Sequence, residues 1–101
     1  MDKSELIILE KPKYRHDELG QMVKDGVTNR EIFCRVQNIK RSEWAAAAHN
    51  GKRAAYCVIV WADEYQGEEV AILNGVRYGI YRTYSPNGED MELYLEQKAG
   101  V

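Results

Sequence analysis

The last third of the chain leaves few choices of fold. Residues 70–84 read VAILNGVRYGIYRTY, two runs rich in β-branched and aromatic residues joined by Asn74-Gly75. Asn-Gly is the favoured pair for a type I′ turn, whose twist matches that of antiparallel strands, so the two runs read as a hairpin. Pro86 stops the second run, Asn87-Gly88 turns the chain again, and DMELYLEQ returns. With a two-residue loop at Asn87-Gly88, Tyr84 faces Met91, Arg82 faces Leu93 and Ile80 faces Leu95. That register puts Ile80, Tyr84, Met91, Leu93 and Leu95 on one face and points Glu92, Tyr94 and Glu96 away. Arg82 is its awkward member, left to snorkel or to sit near an edge.

Upstream, residues 54–62, AAYCVIVWA, are apolar on both faces, the pattern of a central strand covered on both sides. In residues 30–39, REIFCRVQNI, alternation sets Ile32, Cys34 and Val36 on one face. Glu31, Phe33, Arg35 and Gln37 fall on the other. Leu6-Ile7-Ile8-Leu9 is a further short strand. Residues 11–29, KPKYRHDELGQMVKDGVTN, show no sustained period and are punctuated by Pro12, Gly20 and Gly26, so they read as a long exposed loop. Within residues 41–53, four consecutive alanines favour a helix of two to three turns, with Ser42 as its N-cap and Asn50-Gly51 as its end. The sum is an all-β, mainly antiparallel chain. Five or six strands form a small barrel or sandwich, with one short helix and a long N-terminal loop. At 101 residues, 1–101 is a single domain.

The chemistry-bearing residues form no recognisable constellation. His16 sits in the loop beside Asp17 and Glu18, where solvation is the default, and His49 ends the helix, where it favours the helix dipole. Ser4, Ser42 and Ser85 lack a nucleophile-elbow context, and no phosphate-binding glycine loop is present. Cys34 and Cys57 lie within apolar runs, as buried free thiols of a reducing compartment do. Asp63, Glu64, Glu68 and Glu69 bracket a turn, which suits solubility rather than catalysis or calcium binding. The expectation is a protein that is not an enzyme and has no metal or cofactor.

A net charge of −2, with both signs interspersed, lacks the field of a dedicated nucleic-acid binder. MDKSELIILEK has no long apolar core of a signal peptide, and no run approaches the ~20 apolar residues that span a bilayer. Synthesis in the cytoplasm and no membrane partner are therefore expected. Tyr78, Tyr81, Tyr84 and Tyr94 admit three uses: core packing, a subunit interface, or base stacking. Trp44 either folds back on the barrel as a plug, the favoured reading, or anchors a neighbouring subunit.

Read in order, these stretches resemble the head–tail joining (head-closure) proteins of tailed bacteriophages. An Asp-x-x-Gly-Gln element appears as Asp17-Glu18-Leu19-Gly20-Gln21. A strand then leads through IKRSEW into the alanine-rich segment ending at residue 48. The apolar strand 56–61 follows, then the hairpin Asn74-Gly75-Val76-Arg77-Tyr78-Gly79-Ile80, then the closing strand Met91-Glu92-Leu93-Tyr94-Leu95-Glu96. The resemblance covers nearly the whole chain and rests on order and spacing, since each motif alone is common. The 11–29 segment is longer than the pattern, and the acidic turn 63–69 need not match it.

The resemblance implies a structural virion protein, made in the host cytoplasm, that assembles as a ring with copies of itself. Such a ring closes the packaged head, docks on a portal or adaptor protein, receives tail proteins and lets genomic double-stranded DNA pass. Segments 11–29 and 41–53 are the candidate extensions. Contacts are expected at Tyr14, Leu19 and Gln21 in the first, Trp44 and His49 in the second, and Tyr81 and Tyr94 on the C-terminal strands. The alternative is an OB- or SH3-like module binding single-stranded nucleic acid or a peptide, which requires a basic or aromatic groove on one barrel face.

Overall fold

A computed structural model describes residues 3–51 and 53–97. Six strands run β1 (Glu5–His16), β2 (Met22–Gln37), β3 (Ala54–Trp61), β4 (Val70–Leu73), β5 (Val76–Tyr84) and β6 (Asp90–Glu96), with helix α1 (Arg41–His49) between β2 and β3. All neighbours are antiparallel and the sheet closes on itself in the order β1-β2-β3-β6-β5-β4. Closure removes the edges of the barrel itself, while the β1–β2 hairpin beyond the β1–β4 and β2–β3 pairings keeps its outer edges free. The expected small antiparallel barrel with one short helix is what the chain forms.

Alternation fills the interior. Ile7 and Leu9 of β1, Ile32 and Cys34 of β2, Val58 and Val60 of β3 and Leu93 and Leu95 of β6 converge with Ala71, Leu73 and Tyr78 into one buried cluster. Each fully buried aliphatic side chain stabilises the fold by about 2 kcal/mol relative to exposure. Strand β3 is buried on its outer face too, because Cys57 and Ile59 are as enclosed as Val58 and Val60.

The first hairpin turn forms as its residues dictate. Leu73 pairs with Val76, and Asn74 and Gly75 take φ of 52° and 79°, the two positive values a type I′ turn needs.

The second hairpin departs from the two-residue loop. Residues 85–89 form the loop, closed by side chains. Asn87 Oδ1 accepts the N–H groups of Glu89 and Asp90, and Ser85 Oγ donates to the Asp90 carbonyl while accepting from the Gly88 N–H. Tyr81 is then the extra residue of a bulge, with Ile80 opposite Leu95 but Arg82 opposite Tyr94 and Tyr84 opposite Glu92. Of the expected pairs only Ile80–Leu95 forms. Tyr84 is 53% exposed rather than buried with Leu93.

The long loop also requires correction. Residues 11–29 are not irregular but the outer half of the β1–β2 hairpin, with a tip at 17–21. They lack an apolar period because both faces of this extension meet solvent, so backbone pairing is its main support. It is joined by the Thr28 hydroxyl on the Lys11 carbonyl, the Lys11 ammonium on the Gln66 carbonyl and an exposed Arg15–Asp25 pair. A bulge lies where Pro12–Val27 gives way to Tyr14–Lys24, with Gly26 at φ 82°, a conformation that costs glycine nothing. The helix likewise starts two residues earlier than expected. Lys40 is the N-cap, without a side-chain hydrogen bond, and Ser42 lies in the first turn.

The acidic turn is structural as well. Glu68 is 3% exposed and accepts two hydrogen bonds from Arg30, at 2.9 and 2.7 Å, and one from the Gln66 N–H at 2.7 Å. Tyr65 donates to the Glu68 carbonyl, and Arg30 also reaches the Glu64 carbonyl. Burial pushes the Glu68 carboxyl up, but the Arg30 and backbone hydrogen bonds outweigh it and leave the pKa lowered. Glu68 is thus a keystone of loop 62–69 and not a solubilising charge.

Candidate assembly surface

The chain's longest dimension comes from the β1–β2 extension. The molecule measures 49 × 30 × 26 Å, and its radius of gyration is 14.9 Å against ~13 Å for a rounded chain of this length. The excess along the first axis, ~20 Å, is what six residues of strand span. Even-numbered β1 residues share one face of this arm, and the register brings Val27, Lys24 and Met22 of β2 beside Pro12, Tyr14 and His16. Tyr14, Met22 and Val27 are 55%, 63% and 41% exposed there, and Leu19 at the tip is 83% exposed. Lys11, Lys13 and Arg15 alternate with them and take the opposite face.

The tip itself is built by Asp17. One carboxylate oxygen accepts the N–H groups of Leu19 and Gln21, both at 2.9 Å, while the Asp17 N–H donates to the Gln21 carbonyl. The Asp-x-x-Gly-Gln element therefore shapes a turn, and Gln21 contributes backbone to it.

The same hairpin carries a second apolar area at its opposite end, on the outside of the barrel. Leu6 pairs with Phe33, and Trp61 of β3 joins Phe33 around an open depression bordered by Asp63, Glu64 and Glu89. Leu6, Phe33 and Trp61 are 47%, 54% and 44% exposed. Lys3 lies 3.5 Å from the Trp61 ring centroid and pairs with Asp90 at 2.7 Å, which lowers the Asp90 pKa. Phe33 and Trp61 were not among the expected contact residues. Alternation along residues 30–39 already points Phe33 away from Ile32 and Cys34, and that was the available signal.

Helix α1 covers part of the outer face of β3, with Ala47 as its buried residue. A polar clasp fastens it. Glu43 receives the Tyr81 hydroxyl at 2.9 Å and pairs with Arg82, whose guanidinium lies 4.0 Å over the Tyr94 ring. Tyr94 in turn donates to Glu92 at 2.6 Å. Burial and the accepting carboxylates push both phenols far up. Tyr81 and Tyr94 are thus half-buried and joined to their own chain, 6.2 Å apart between ring centres. Arg82 sits on the outer face by the same bulge that shifted the register.

Trp44 and His49 are both exposed on the helix, Trp44 at 58%. It does not plug the barrel, whose interior is already filled. Of the expected contact residues, the structure groups Tyr14, Leu19 and Gln21 on the arm, Trp44 and His49 on the helix, and Tyr81 and Tyr94 beneath it.

The cavity under the helix, about 130 Å³ and lined in part by Cys57, Glu43 and Tyr94, is smaller than sites that enclose metabolites. Burial pushes the Cys34 and Cys57 thiols up to about 11. Among the described residues, no group of three or more His, Cys, Asp and Glu is placed to hold a metal ion. No described helix is long and apolar enough to cross a membrane. No family model matches the chain, and no curated protein matches it either.

Proposed function

We propose that this chain is a structural subunit rather than an enzyme, a ring-forming protein of the head–tail connector in a tailed bacteriophage virion. The observation that carries the reading is the projecting β1–β2 arm, which holds Tyr14, Leu19, Met22 and Val27 in solvent on a closed, well-filled barrel. An isolated two-stranded ribbon is marginal in water, and exposed apolar side chains along one suit a partner surface. The order of motifs from Asp17 through Glu96, set out above, supplies the connector setting.

In that setting the ring docks on a portal or adaptor protein, receives tail proteins, and surrounds passing double-stranded DNA. It assembles in the host cytoplasm and ends in the virion. A net charge of −2 favours passage of DNA over capture. The OB- or SH3-like alternative asks for a basic or aromatic groove. The exposed aromatics Phe33 and Trp61 instead neighbour Asp63, Glu64 and Glu89, which repel phosphate. The test is co-expression with the portal and adaptor proteins encoded beside it, followed by pull-down and electron microscopy. A ring seated on the portal is the expected result. Failure to associate with any capsid, portal or tail component overturns the reading.

A further inference from the structure

We propose that the arm of one copy docks on the barrel of a second copy, with Tyr14, Met22 and Val27 covering Leu6, Phe33 and Trp61. The proposal deepens the assembly reading above and rests on its premise that copies of the chain associate. Both surfaces are apolar and each residue in them is more than two-fifths exposed.

Their own chain cannot join them. Tyr14 and Leu6 lie on the same face of one strand, eight residues or ~27 Å apart, and a paired ribbon does not fold back over itself. Any occupant of either surface therefore comes from elsewhere, and a second copy of the chain carries the matching half of both.

Charge selects the same partner. Lys24, on the same face of the arm as Tyr14 and Met22, has no ion-pair partner among the described residues. Around Phe33 and Trp61, the carboxylates Asp63, Glu64 and Glu89 are likewise without ion pairs among the described residues. Lys3 is committed to Asp90, and Arg35, two residues from Phe33 on the same face, donates to Gln37 and also acts on Asp90. The Lys24 cation beside the apolar residues of the arm thus meets an acidic rim around an apolar centre, an arrangement that orients encounter. Because the two surfaces differ and lie at opposite ends of the hairpin, repetition of the contact is head-to-tail, which closes into a ring when the rotation permits.

The test uses single-cysteine labelling of the full chain. Both native thiols are buried, so Met22→Cys and Phe33→Cys place the accessible ones. A short bifunctional thiol cross-linker is expected to join the two variants when they are mixed, and neither variant to itself. Lys24→Glu should slow that cross-linking several-fold, and adding Glu89→Lys should restore it. Circular dichroism of each variant checks that the barrel is intact.

Absence of the mixed product up to the solubility limit overturns the proposal. So does preferential Met22→Cys self-coupling, or displacement of the second copy by duplex DNA at physiological salt. The two readings fail separately. A ring on the portal without arm–barrel cross-links retains the connector function and removes this contact. Arm–barrel cross-links confined to a closed, reciprocal dimer retain the contact and remove the ring.

Discussion

Arg77 of β5 grips Glu10 of β1 through two parallel hydrogen bonds, of 2.7 and 2.9 Å, across the intervening strand β4. Glu10 is 8% exposed, so the pair forms a strap over the outside of the seam where the barrel closes. Bidentate guanidinium–carboxylate geometry adds direction as well as attraction.

This strap makes stability pH-dependent in one direction. The Arg77 hydrogen bonds hold the Glu10 carboxyl below its ordinary value of 4.5. A carboxyl lowered in the folded state stabilises above its unfolded pKa, and the contribution disappears as pH falls through the folded value. The melting temperature should therefore drop below about pH 4.5. Glu10→Gln should melt below the parent at pH 7 and converge with it in acid, as read by thermal denaturation across pH. A gap that is constant from pH 7 to pH 3 would refute the account.

Glu43 fastens the helix to the barrel, so Glu43→Ala should loosen residues 41–49 and leave the strands intact. The expected cost is about 1–2 kcal/mol of local stability, since two hydrogen bonds are lost but Arg82 remains partly solvated. Hydrogen exchange should quicken in α1 with no change in β3 or β6. Uniform quickening would show that the helix and barrel unfold together.

The two thiols should resist modification. With their pKa values pushed to about 11 by burial, Cys34 and Cys57 are almost wholly protonated at pH 8. Ellman's reagent should find almost no thiol in the native chain and both after denaturation. Rapid native labelling of one would mean that its part of the wall opens.

The arm should be dispensable for folding. Pro12 pairs with Val27, so replacing residues 13–26 by Asn-Gly closes the shortened hairpin with a two-residue turn. The removed residues add nothing to the buried cluster, and the melting temperature should shift by only a few degrees. Self-association, followed by analytical ultracentrifugation, should be lost. Collapse of the barrel would assign the arm a role in folding instead.

Much of the barrel was legible because local chemistry and global packing agree there. Asn74-Gly75 can hardly do anything but turn, and alternation in residues 30–39 sorts inward from outward side chains correctly. Legibility fails where side chains act on backbone. Ser85 and Asn87 lengthen the second loop by hydrogen bonds that no hydrophobic pattern announces, and the Tyr81 bulge then realigns everything beyond Ile80.

The arm was missed because pairing in solvent leaves no apolar period. Glu68 looked like one more surface acid because its partner, Arg30, lies 38 residues away in sequence. For the candidate surface, Tyr14 and Leu19 were visible as apolar residues in a polar stretch. Trp61, by contrast, read as part of a strand covered on both sides.

The barrel's joints are of unequal strength. Strand β1 runs against β2 over eleven paired positions, whereas β1–β4 and β2–β3 each have only three. Mechanically the molecule is a long clip set into a four-strand plate by two narrow welds, one of them strapped by Arg77. Under load the two welds should part before the clip itself does, and the clip leaves in one piece. Two molecules that open together can therefore trade clips and close again, which makes an exchanged dimer the characteristic misassembly of this architecture.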